Sequence, residues 1–89
     1  MSFTETILRM LAAESPDAVL WDNLDAAIVG IAERDGLAVA VYDYDRMIAV
    51  FMDREGWTAE EAAEWVDFNI VGAYVGPGTP LTDYGRDEE

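Results

Sequence analysis

The chain has 89 residues, 52% of them apolar, and sets nineteen Asp and Glu against five basic residues, with no His and no Cys, for a net charge of −14. That length supports one small domain, residues 1–89 with an acidic tail at about 84–89, which should bury about 60–65% of the surface its unfolded chain exposes. Missing Cys and His exclude a disulfide framework, a thiolate nucleophile, Cys-based zinc or iron–sulfur sites and His-dependent triads, while the charge opposes direct binding to nucleic acid or an anionic membrane. The N-terminus has no basic segment followed by a long apolar core, and no run approaches the ~18 apolar residues of a membrane span, so a cytoplasmic location is expected.

In chain order, Ser2 and Glu5 have the spacing of a capping box, so a helix is expected over about Phe3 to Ala13. Its apolar stripe is Phe3, Ile7, Met10 and Leu11. Pro16 disfavours helix at the residue before it, and "ESPD" therefore ends the element and opens a connection through "VLWDNLD". The apolar runs "AAIVGIA" at 26–32 and "AVAVY" at 38–42 read as two strands. Asp35 and Gly36 between them tolerate positive φ, which suits a tight antiparallel hairpin, and Gly30 within the first strand suggests a bulge or a close neighbour.

Asp43 can cap a helix over about Tyr44 to Glu55, with Tyr44, Met47, Ile48, Phe51 and Met52 on one side and Gly56 ending it in the left-handed region. Thr58 and Glu61 form a second capping box, so a third helix begins near Ala59 and pairs with the second as an αα-hairpin. It should run to about Val71 or Ala73. "GPGTPLTDYG" then leaves as a turn, with a short strand at Pro80 to Asp83. The fold class expected is α+β: a small antiparallel β-hairpin or sheet, an N-terminal helix and a packed αα-hairpin. Trp65, Val66, Ile70, Phe51, Met47, Ile28, Ile31, Val39 and Val41 are its expected core.

On the third helix a 3.6-residue period places Ala62, Ala63, Trp65, Val66, Asn69, Ile70 and Ala73 on the core face. The opposite face is acidic. Glu60, Glu64 and Asp67 recur at i, i+4 and i+7 beside Glu61, with no Arg in the helix to offset them. Like charges at this spacing cost about 0.2–0.5 kcal/mol per pair, and Asp67 also lies toward the negative end of the helix dipole. The plain alternative is a solvated face whose first two Glu residues complement the dipole. The functional reading is an acidic ridge with Phe68 at its side, where a partner would meet apolar contact framed by carboxylates. Asp45 and Asp53 on the second helix extend this set, two turns or about 12 Å apart, diluted by Arg46 and Arg54.

The charge is too thin for mimicry of nucleic acid by the whole surface. Spread over the roughly 5,200 Å² expected of this mass, it amounts to about one charge per 370 Å², against about one per 110 Å² on duplex DNA. Mimicry would require the carboxylates to gather on one side. No catalytic constellation, calcium loop or phosphate-binding loop is recognisable, so no enzyme activity, cofactor or metal site is expected. Asn69 reads as a satisfied buried amide. Gly72 and Gly76 read as aids to close packing and a left-handed turn in a helix stop that docks the last segment onto the hairpin.

"YDYDRMIAVFM", "GWTAEEAAEWVDFNIVGAYVG" and "TP", within about residues 24–81, resemble a group of small phage and prophage proteins. Members carry an FN-x-x-GA-aromatic-x-G block followed by TP, matched here by Phe68, Asn69, Gly72, Ala73, Tyr74, Gly76, Thr79 and Pro80. The resemblance implies a phage origin, and small acidic phage proteins are often inhibitors of host nucleic-acid-handling systems, anti-CRISPR proteins among them. The expected partner is then a basic host protein or nucleoprotein complex in the host cytoplasm. Its contacts would be Glu60, Glu61, Glu64, Asp67, Phe68, Asp45 and Asp53. The alternative is a phage structural or assembly protein that could pair as a homodimer through an apolar strand edge or helix face.

Overall fold

Both capping boxes form and set where the outer helices begin. In the computed structural model, which describes residues 2–85, helix α1 spans Phe3–Glu14. Ser2 Oγ accepts from the Glu5 N–H at 3.1 Å, and the Glu5 carboxylate accepts from the Ser2 N–H at 3.2 Å. Helix α3, Ala59–Val66, repeats the device with Thr58 and Glu61 at 3.2 and 2.9 Å. Helix α2, Tyr44–Glu55, starts at Asp43, whose side chain accepts from the Arg46 N–H, and stops at Gly56 with φ 73°. Each cap satisfies backbone groups that a helix end leaves open.

Strands β1, Ile28–Arg34, and β2, Leu37–Asp43, form the expected antiparallel hairpin, from Ile28 opposite Tyr42 to Arg34 opposite Leu37. Asp35 (φ 53°) and Gly36 (φ 84°) make its two-residue turn. Successive positive φ values match the twist of the flanking strands. Register shifts between Ile28 and Gly30, the irregularity that a glycine inside the first strand suggests.

A third strand, β3, Leu81–Asp83, pairs with β2 in parallel, giving the order β1-β2-β3 and a mixed rather than purely antiparallel sheet. Parallel neighbours need a long crossover. Here the crossover is the αα-hairpin itself, so α2 and α3 are tethered to the sheet at both ends.

The core gathers Ile7 and Leu11 of α1, Met47 and Phe51 of α2, Ala62 and Val66 of α3, Ile70 beyond it, and Ile28, Ala40 and Tyr42 of the sheet. Val39 is also fully buried but lies outside this cluster, on the other sheet face by strand alternation. Several expected core positions move outward. Ile31 and Val41 are only half-buried, Phe3 and Met10 are 60% and 52% exposed, Met52 is 38% exposed, and so is Trp65. In α1 only Ile7 and Leu11 join the buried cluster, with Leu8 packed against it.

The connection between α1 and β1 is pinned at three points. The Val19 N–H donates to the Gly78 carbonyl at 3.0 Å, the Trp21 N–H donates to the Tyr42 hydroxyl at 2.9 Å, and Arg54 donates to the Asn23 carbonyl. Residues 86–89 of the expected acidic tail lie outside the described residues. Among the described residues no helix is long and apolar enough to cross a membrane.

Candidate functional site

Ala62, Val66 and Ile70 recur every four residues and carry the buried line of the α3 region. Glu60, Glu61 and Glu64 consequently turn to solvent, as the helical period requires. Glu61 has a second duty, since one of its oxygens closes the cap at Thr58. Trp65 sits at the boundary between these two faces. Its ring packs on Phe51 at 4.7 Å between centroids and lies 6.3 Å from Trp57, which itself stacks on Phe51 at 5.9 Å. Trp65 therefore has its inner side on the core and its outer side in water.

After Val66 the helix widens into a π turn, Asp67–Val71. Bonds from i to i+5 put more residues into each turn and rotate the next side chains away from their α-helical positions. Asn69 is accordingly exposed instead of buried, and its Nδ2 donates to the Trp65 carbonyl at 3.0 Å, supplying a donor at the α-to-π junction. Phe68 projects furthest, with 85% of its surface in water.

Trp57, Glu61, Glu64, Trp65, Phe68 and Asn69 line one open cleft of about 470 Å³. Three of its members, Glu61, Glu64 and Phe68, are among the contacts expected from sequence. Trp57 is not, although an aromatic residue in the three-residue link between two capped helices is the available signal. Trp65 and Asn69 are core positions by α-helical phase. The buried line is narrower than that phase allows and leaves Trp65 at its edge, and the π turn carries Asn69 off it.

The remaining expected contacts lie elsewhere. Asp67 accepts a 2.7 Å hydrogen bond from the Tyr44 hydroxyl and so is engaged with α2 rather than with the cleft. That bond, with a smaller contribution from desolvation, raises the Tyr44 phenol to about 12, because a phenolate would lose the donor and face a carboxylate. Tyr44 also packs on the ring of Tyr84 at 4.9 Å. Asp45, Asp53 and Glu60 are exposed on their helices and line no part of the cleft. Tyr42 is raised as well, chiefly by burial; the hydrogen bond that its hydroxyl accepts from the Trp21 N–H opposes the shift, and the Asp25 and Asp22 carboxylates add to it. It is an internal strut and opens to no cleft.

In the segment after the π turn Gly76 is the turn glycine, as expected, but the close packing falls to a different residue. Gly76, at φ 113°, occupies a region that glycine favours. Gly72 has ordinary φ and nothing nearer than 3.6 Å to an added Cβ. The close-packing glycine is Gly78, where a Cβ would stand 2.9 Å from the Asp17 carbonyl oxygen and 3.2 Å from Ala18 Cα. Buried Thr79 ties the turn, donating its hydroxyl to the Gly76 carbonyl at 2.6 Å and accepting from the Val75 N–H at 2.9 Å. Among the described residues no three carboxylates converge as a metal site would need.

Compared with known proteins, the chain matches no family model, no curated protein and no solved structure.

Proposed function

We propose that this protein is a phage-encoded acidic inhibitor that occupies a basic nucleic-acid-binding surface on a host defence complex, in the manner of anti-CRISPR proteins. Its leading contact is the outer face of α3. The observation that carries this reading is the face itself. Glu60, Glu61 and Glu64 are exposed on a helix with no basic residue in its last turn, and the 85% exposed Phe68 stands just beyond its end. Carboxylates framing an exposed aromatic ring suit a partner whose Arg and Lys side chains otherwise hold phosphates. Asp45 and Asp53 contribute longer-range attraction from α2. The protein acts in the host cytoplasm, does not itself bind nucleic acid, and works by occupying the surface without catalysis.

Attraction between such a face and an Arg/Lys groove gives fast association that weakens steeply with salt. The test is capture of a bacterial complex on the immobilised protein, followed by competition with duplex DNA or RNA. Replacing Glu60, Glu64 and Asp67 by Gln, Gln and Asn should preserve folding and weaken capture by about 2–5 kcal/mol where these carboxylates meet buried Arg partners. Asn at 67 keeps an acceptor for Tyr44, so the loss would report charge. Failure to capture any nucleic-acid-binding partner across a range of salt concentrations would sink the inhibitor reading.

A further inference from the structure

The α3 cleft combines features that a solvated acidic face does not need. Phe68 leaves 85% of its surface in water and Trp65 38%, beside the partly buried Trp57, on a chain that can cover large side chains completely, as it does Tyr42 and Met47. Clustered exposed aromatic rings mark interaction sites more often than scattered ones do. The polar groups around these rings are chiefly acceptors. Glu64 and Glu61, the latter with one oxygen not used in the cap, line the cleft, and Asn69, which gives one of its two Nδ2 hydrogens to the Trp65 carbonyl, adds its Oδ1 as an acceptor.

We propose that this cleft is a socket for one arginine side chain of a basic partner, with the guanidinium stacked against the Trp65 and Phe68 rings and its N–H groups directed to Glu61 and Glu64. The inference rests on the basic-partner reading and adds the anchoring residue and its seat. Charge and shape both select the occupant. A phosphate or other anion would meet carboxylates. A neutral apolar side chain would leave the two Glu residues to be desolvated without a partner. Lysine supplies charge, but its compact, strongly hydrated ammonium gains less from a ring face than a flat, weakly hydrated guanidinium with several donors in its plane. The same aromatic cluster already holds one guanidinium: Arg54 Cζ lies 5.1 Å from the centroid of Phe51, the ring on which Trp57 and Trp65 pack. The socket repeats that contact on the outer side of the cluster.

The test uses the full chain and three synthetic peptides, each a central residue flanked on both sides by Gly and then two Lys, with Arg, Lys or citrulline at the centre. Binding is followed at low salt through the indole N–H signals of the three tryptophans. The Arg peptide should bind about five-fold or more tightly than the Lys peptide and shift the indoles of Trp57 and Trp65 while leaving that of Trp21 in place. Citrulline, which keeps the planar shape without the charge, should bind no better than Lys. Phe68→Ala and Glu64→Gln should each remove most of the Arg preference and leave the Lys peptide nearly unchanged. Equal binding of Arg and Lys peptides, indifferent to Phe68→Ala, would overturn the socket and leave the broader acidic-surface reading intact. Binding by none of the peptides would count against both. Preference for citrulline would overturn the socket in favour of a neutral docking groove.

Discussion

Two neighbouring stretches of chain spend their side chains in opposite ways. From Gly76 to Pro80 the exit turn is tied down: Thr79 and Pro80 are buried, the Thr79 hydroxyl bonds back to Val75 and Gly76, and the Gly78 carbonyl holds Val19. From Trp57 to Asn69 the chain is open, with Phe68, Trp65 and Asn69 facing water around a cleft flanked by Glu61 and Glu64. The first stretch is largely accounted for by the fold, because Gly76 supplies a positive φ, Gly78 a close approach and Thr79 the hydrogen bonds that tie the turn. The second leaves apolar surface and carboxylate charge unspent. That difference is what separates a structural motif from a candidate site in a chain without His, Cys or a recognisable catalytic motif.

Gly78→Ala should destabilise the exit turn. Its Cβ would press on backbone atoms of residues 17–19 at 2.9 to 3.3 Å, and backbone has no rotamer into which it can retreat. A loss of about 1–3 kcal/mol is expected in chemical denaturation. Stability equal to the parent would show that the 17–19 segment yields, and that the exit turn is less tightly seated than its hydrogen bonds imply.

Phe68→Ala probes the other stretch and should change stability by less than about 0.5 kcal/mol, as expected for an exposed side chain away from packing constraints. A loss above about 1 kcal/mol in the same denaturation experiment would mean that Phe68 braces the π turn, and the cleft would then be part of the fold like the exit turn.

Legibility from sequence divides along the same line. Signals confined to a few residues come through: both capping boxes, the Asp35–Gly36 turn, the left-handed stop at Gly56 and the irregularity at Gly30 each depend on local backbone chemistry. Features set by distant partners do not. Nothing near Gly78 in sequence announces that residues 17–19 will lie against it, and nothing in "PLTD" specifies a parallel neighbour. The burial errors at Trp65 and Asn69 have separate causes. Trp65 lies one residue from Val66 on the helix, at the rim of a buried line only as wide as Ala62, Val66 and Ile70, while Asn69 falls in a turn that is no longer α-helical. Glu61, Glu64 and Phe68 can be expected because charge and exposure on a helix follow its period. Their gathering with Trp57 cannot, since it depends on how the α2–α3 link folds back.

The smallest expected effect concerns the seam between the two helices, where Asp67, sequence neighbour of Phe68, is held by Tyr44. A phenol raised from about 10 to about 12 binds its proton more tightly in the folded state than in the unfolded one. The resulting stability is fully present below pH about 10 and is lost as pH rises through that window toward 12, so neutral and mildly alkaline conditions should show no dependence on this group. Labelling the tyrosine ring carbons and titrating by NMR separates Tyr44 from Tyr42, the other raised phenol. Asp67→Asn should lower the Tyr44 midpoint part of the way toward the ordinary phenol value, because a bond to a neutral amide is weaker than one to a carboxylate and no negative charge then opposes the phenolate. An unchanged midpoint in Asp67→Ala, which leaves no acceptor at that position, would mean that the hydroxyl is not held by Asp67. Both oxygens of that carboxylate would then face a partner alongside Glu60 and Glu64.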